Sequence, residues 1–206
     1  MSRKLIPILD PPHGCDVPGK RSPDSRHLEY DWGRKICKLL EDELINLGFR
    51  VEYTNTEERE IGLSKRKQIA ESIKCLPDQT KFLLSLHNNA AGADNNWHNA
   101  RGVEIYTAPG QTKSDIFADI ILNNLKEDFP TIEGFKYRTD LSDGDLDKEA
   151  RFTVLMGRVY SAILLEWLFQ DNIKDLALLQ CPLVNMRLVR SLCRSLVYID
   201  EHIKSL

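Results

Sequence analysis

The segment Lys81-Phe82-Leu83-Leu84-Ser85-Leu86-His87-Asn88-Asn89-Ala90 joins a short apolar run directly to a histidine and two asparagines. A run of this length, closed by turn-forming residues, reads as a strand buried on both faces, the kind that parallel sheets contain. Two other runs end the same way. Leu5-Ile6-Pro7-Ile8-Leu9-Asp10 leads through Pro11-Pro12 to His13, and Ala162-Ile163-Leu164-Leu165 leads to Glu166. Ligands of open α/β sheets bind beyond the carboxyl ends of the strands. Three strands, each tipped by a metal-binding or proton-transferring residue, predict one site assembled from distant parts of the chain.

Between these runs the periodicity turns helical. Ile36, Leu39, Leu40, Leu44 and Leu47 repeat on one face, and Gly48 supplies a stop. That helix opens near Tyr30, so Glu29 sits at its N-terminal edge, where a carboxylate also favours the helix dipole. Phe49, Val51 and Tyr53 alternate as a half-exposed strand near an edge. Ile69, Ala70, Ile73 and Leu76 mark a second helix closed by Pro77, and Phe117, Ile120, Ile121 and Leu125 a third. Val103, Ile105 and Thr107 form a strand turned by Pro109-Gly110, and Phe152 to Met156 is a further short strand candidate. The acidic run Asp140 to Asp147 lacks EF-hand spacing and reads as solvated surface. A last helix runs from about Val184 to Ile203. Strands alternating with helices give an α/β fold: a mainly parallel twisted sheet with helices on both faces, residues 1–206 forming one domain.

Charge narrows the partners. A net charge of −3 gives no reason to expect nucleic acid, and no apolar run is long enough to insert in a membrane. The basic start Met1-Ser2-Arg3-Lys4-Leu5 is followed by too short an apolar stretch for a signal peptide. Synthesis in the cytoplasm is therefore expected, with action on the target after release, or export if a leader has been removed. Five cysteines, an odd number without paired spacing, predict free thiols.

His13, His87 and Glu29 form a plausible metal set, since a catalytic zinc takes three protein ligands and keeps a fourth position open. Any one of these histidines alone is more readily a hydrogen-bonded structural residue than a ligand; their joint placement with Glu166 carries the reading. His27 is a rival ligand to Glu29, although His27 and His98 both read as exposed. Glu166, set in apolar sequence, is expected to have a raised pKa suited to acid–base work. Its alternative is a salt bridge with a residue such as Arg158.

Taken in order, these motifs resemble the zinc-dependent N-acetylmuramoyl-L-alanine amidases of the amidase-3 type. The matching segments are Asp10-Pro11-Pro12-His13-Gly14, Glu29 at a helix start, Leu63-Ser64-Lys65-Arg66, Ser85-Leu86-His87-Asn88-Asn89-Ala90, Gly102-Val103-Glu104-Ile105-Tyr106, and Leu164-Leu165-Glu166 followed by Phe169 and Asp171-Asn172. The resemblance implies one zinc per chain on His13, Glu29 and His87, with Glu166 as catalytic carboxylate. Asn89 would line the cleft and meet the peptide, with Asn172 beyond the last strand. The implied reaction cuts the amide between N-acetylmuramic acid and L-alanine in peptidoglycan, degrading cell wall in the manner of a monomeric phage or prophage endolysin. A zinc peptidase acting on the stem peptide and an inactive wall-binding module are the competing readings. Departures are Pro12 in place of glycine, Trp167 after the catalytic glutamate, Ser161 where proline often precedes the final strand, and Cys15 close enough in sequence to approach the metal.

Overall fold

The structure, a computed structural model, describes residues 3–142 and 144–206. Met1 and Ser2 of the basic start, and Asp143 within the acidic run, lie outside the described residues.

Among the described residues six strands form one sheet: β1 (Leu5–Asp10), β2 (Glu52–Tyr53), β3 (Thr80–Asn89), β4 (Val103–Thr107), β5 (Lys148–Glu149) and β6 (Ser161–Phe169). Their order is β2-β1-β3-β6-β4-β5, parallel throughout except where β4 runs antiparallel to β6. The three apolar runs are thus adjacent central strands, β1, β3 and β6. Five helices among the described residues surround the sheet: α1 (Glu29–Asn46), α2 (Leu63–Ser72), α3 (Lys113–Asp128), α4 (Ile173–Leu179) and α5 (Pro182–Ser205).

Alternation along each strand divides the core in two. Leu5, Leu9, Phe82, Leu84, Leu86, Ile163, Leu165 and Trp167 face α1, α3 and α5 in one large cluster. Ile8, Leu83, Ala162 and Leu164 face the other way, against Ala70 of α2 and the turn containing Val154 and Leu155. That second cover is short. Farther along, the same face carries Asp10, His87, Glu166 and Glu104 in place of apolar side chains, and there the sheet opens to a cleft.

Two expected elements are corrected. Residues 152–156 contain a 3-10 turn, Thr153–Leu155, because consecutive Val154 and Leu155 are both buried, which a strand cannot do on one face. Helix α2 begins earlier than expected and ends at Ser72. Ile73 is extended and Leu76 is 62% exposed. The stop has a cause: the Lys81 ammonium, reaching across from β3, donates to the carbonyls of Ala70, Glu71 and Ile73 at 2.9–3.1 Å. A cation there complements the negative end of the helix dipole. Helix α4 was not expected. Asn172 caps it, its Oδ1 accepting from the amides of Lys174 and Asp175. All five cysteines are free thiols. No described helix is long and apolar enough to cross a membrane.

Candidate metal centre and catalytic cleft

Strand β3 delivers His87 in register with Glu166 of β6, which in turn faces Glu104 of β4. Beyond His87 the pairing shifts by a bulge before Asn89 meets Phe169. This re-aims the strand end, as bulges beside sites commonly do. Glu29, the first residue of α1, reaches the same point from the sheet's edge. Its Oε1 lies 2.9 Å from His87 Nδ1 and 3.4 Å from His13 Nε2. The backbone amide of Asn88 also donates to Oε1 (3.1 Å), and Gln170 Nε2 donates to Oε2 (3.2 Å). The two imidazole rings meet edge-on at 4.9 Å.

One ligand atom from each of His13, Glu29 and His87 fits within a 4.8 Å group, the only such His/Cys/Asp/Glu cluster among the described residues. Ligands on a tetrahedral zinc at about 2.1 Å stand about 3.4 Å apart. The two carboxylate–imidazole spacings, 2.9 and 3.4 Å, lie close to that. His13 Nε2 is buried with no hydrogen-bond partner, an orphaned lone pair of the sort a cation satisfies. Burial, against the pull of Glu29, lowers the His13 pKa and favours the neutral, ligating imidazole. Burial opposes charge on Glu29, but the two histidines outweigh it and hold the carboxyl below its usual range. His87 is raised: burial alone would lower it, and its hydrogen bond and charge contact with Glu29 win. The residues present therefore fit a divalent metal of the zinc type.

The His13 loop is held from below by two guanidiniums. His13 has φ +43°, a left-handed conformation costing on the order of 1–3 kcal/mol unless its surroundings enforce it. Arg34 of α1 donates to the Pro12 and His13 carbonyls (3.1 Å each), and Arg66 of α2 to the Pro11 and His13 carbonyls, the latter at 3.0 Å. Arg66 is 1% exposed and also pairs with Asp10 and Glu60. Asp10 accepts from Thr54 and Ser85 as well, so the network is fully engaged. Arg66→Ala is expected to cost about 3–5 kcal/mol, because it strands the buried Asp10 charge. Urea unfolding reads this directly, and a loss below about 1 kcal/mol would show the network to be dispensable.

Other sequence expectations fall into place around this centre. Pro12 seats against Gly33 of α1, where an added Cβ would lie only 2.0 Å from Pro12 Cδ. Trp167 points away from the cleft into the core, against Phe129 and Phe135. Cys15 is exposed and outside the ligand cluster. His27 is a correction: it is buried, and its Nε2 pairs with Asn88 Oδ1 at 2.7 Å. Asn88 Nδ2 donates to the Trp167 carbonyl, so this pair bolts the α1 entry to β3 and β6. His98 is partly exposed and pairs with Asp94. Asn172 stays outside the cleft lining as the α4 cap, its Nδ2 donating to the His98 carbonyl.

The cleft, about 720 Å³, has the three candidate ligands and Glu166 among its lining residues. Glu166 makes no salt bridge with Arg158 or any other described residue, and its Oε2 is buried without a partner. Burial, with Glu29 and Glu104 nearby, raises its pKa to about 7. Asn89 lines the cleft and is held by Glu104, which accepts from its Nδ2 at 2.8 Å. Glu104 is itself fixed by Arg138, Lys148 and the Tyr106 hydroxyl. Sequence reasoning missed Glu104 and Gln170. The first was visible as an acidic residue within an apolar strand, whereas no local signal marked the second.

A family model described as N-acetylmuramoyl-L-alanine amidase matches residues 8–197 of the chain. No curated protein sequence matches significantly. Among solved structures, the CwlD amidase from Clostridioides difficile in complex with the GerS lipoprotein aligns with TM-score 0.77 and 18% identity, over 97% of this chain and 99% of that one. The Ami1 amidase of Mycobacterium smegmatis aligns with TM-score 0.76 and 17% identity, over 97% and 98%. An N-acetylmuramoyl-L-alanine amidase from Clostridium difficile 630 gives 0.75 and 22%, also over 97% and 98%. At these identities the likeness establishes a shared fold.

Proposed function

The chain belongs to the amidase-3 family of N-acetylmuramoyl-L-alanine amidases, and from that premise we propose that it is a zinc-dependent hydrolase of the bond joining N-acetylmuramic acid to L-alanine in peptidoglycan. The observation that carries this is the convergence of His13 Nε2, His87 Nδ1 and Glu29 Oε1 beside the unpartnered Oε2 of Glu166.

His13, Glu29 and His87 would hold one zinc per chain. When bound, zinc supplies Lewis acidity, lowering the pKa of water to about 7 and polarising a carbonyl. Glu166 does the proton work. Its ionised carboxylate accepts the proton of the attacking water, and the same oxygen then returns it to the departing amine of L-alanine. A pKa near neutrality suits both steps, since the group must take the proton and give it up at one pH. Asn89, braced by Glu104, offers an amide to the peptide backbone. Gln170 and the Asn88 amide keep the Glu29 carboxylate in one orientation.

The narrower form of this proposal is cell-wall degradation as a phage or prophage endolysin acting as a monomer. Its support is the fold shared with the catalytic domain of the CD27L endolysin, which aligns with TM-score 0.63 and 17% identity over 95% of this chain and 97% of that one. Dialysis against a chelator should abolish wall hydrolysis, and one equivalent of zinc should restore it. Undiminished hydrolysis by metal-free protein would remove the metal from the reaction.

A further inference from the structure

We propose that Lys20 and Arg21 form a carboxylate subsite on the cleft wall, selecting stem peptides that carry a free carboxylate next to the scissile amide. This rests on the amidase reading. Both side chains line the cleft and are exposed, and neither is ion-paired with any described residue. The arginines that brace the fold, such as Arg66, Arg101 and Arg138, are by contrast engaged with carboxylates.

The two cations sit on a fixed arm. Arg21 bridges Leu28 in an antiparallel pair, and the Ser22 amide donates to the His27 carbonyl at 3.0 Å. The Lys20 carbonyl accepts the Glu29 amide at 3.1 Å, one hydrogen bond from a metal ligand. The His27–Asn88 contact ties the base of this arm to β3. The backbone of the arm is thus ordered before substrate arrives, which leaves only the two side chains to be fixed on binding. Lys20 lines the same cleft as His13 and Glu166.

Glu166 and Asp171 line the same cleft beside the proposed metal ligands, so a substrate carboxylate finds its cationic side-chain partners on the Lys20–Arg21 wall. Asn95 and Asn96, also in the lining, are neutral, so Lys20 and Arg21 give the cleft a basic side. In many stem peptides the second residue is a glutamate linked through its side chain, which leaves its α-carboxylate free one residue from the scissile bond. At about 3.3–3.6 Å per extended residue, that group lies within a side chain's reach of the centre. Arginine grips a carboxylate with two parallel hydrogen bonds, and lysine adds a mobile point charge.

The test uses zinc-loaded enzyme and two soluble substrates, N-acetylmuramoyl-L-alanyl-γ-D-glutamyl-L-lysinamide and its D-isoglutaminyl counterpart, in which the free α-carboxylate of the second residue is an amide. The wild type should favour the carboxylate substrate by about tenfold in kcat/KM, through KM, the low end for hydrogen bonds to charged groups. The double variant Lys20→Gln, Arg21→Gln should show no preference. Calorimetry in a Glu166→Gln background should show the same loss of discrimination in Kd without turnover. A preference that survives in the double variant, or a wild type indifferent to the two substrates, overturns the subsite. A wild type that cleaves neither refutes the amidase reading itself, and this one with it.

Discussion

Glu166→Gln should slow hydrolysis by about 100- to 10,000-fold, the range for losing a general acid–base group. The substitution keeps the shape of the side chain and one acceptor, but the amide cannot hold and release the proton. Stability should move the other way. The folded pKa of Glu166, about 7, lies above that of an unfolded glutamate. Folding therefore favours the neutral acid, and the stability this gives is present below the unfolded pKa and lost as pH rises through about 7. At pH 8 the native state carries a poorly solvated carboxylate that glutamine does not have. Metal-free Glu166→Gln should then melt no lower than the parent at pH 8, while its activity collapses. A variant that hydrolyses cell wall at the parental rate would remove Glu166 from the chemistry. One that lost activity by unfolding would show a lowered melting temperature.

His87→Ala should lose zinc. Removing even a partner that orients a ligand typically costs 10–100-fold in metal affinity, and removing a ligand costs more than about 100-fold. The expectation can be read without any substrate. Zinc present at about 1,000 times its Kd stabilises a folded protein by about 4 kcal/mol, and a 100-fold weaker site at the same concentration by only about 1.4 kcal/mol. The zinc-induced rise in melting temperature should accordingly shrink to a fraction of the parental one. His98→Ala, whose imidazole pairs with Asp94 outside the ligand cluster, should keep the full rise. Equal zinc stabilisation of parent and His87→Ala would contradict the assignment of His87 as ligand.

The centre was legible in the sequence because buried parallel strands leave a strong trace. Leu5–Asp10, Phe82–Leu86 and Ala162–Leu165 are apolar on both faces, and the polar residue ending each marks the edge of the sheet. Helix α2 was harder to read, for a physical reason. Its buried face holds Arg66 and Ala70, so the residue deepest in the structure is a cation and the hydrophobic period is hidden. Its end depends on Lys81, distant in sequence, which no local pattern reveals. His27 was misjudged because a histidine in a polar loop looks solvated. Its burial arises only when β3 brings Asn88 against it. The Asn172 cap had a local signal, an asparagine followed three residues later by Asp175, the spacing of an N-terminal helix cap.

Bond choice tests the central claim most directly, because the metal centre alone can hydrolyse any amide within its reach. Purified peptidoglycan digested with the zinc-loaded protein should gain new amino termini that are L-alanine. No new reducing sugar ends should appear, and no free D-alanine. New termini at the diamino acid or at D-alanine would show a peptidase acting on the stem peptide, and no new termini at all would show a binding module. Either result would contradict the function proposed here, whatever the metal content of the protein.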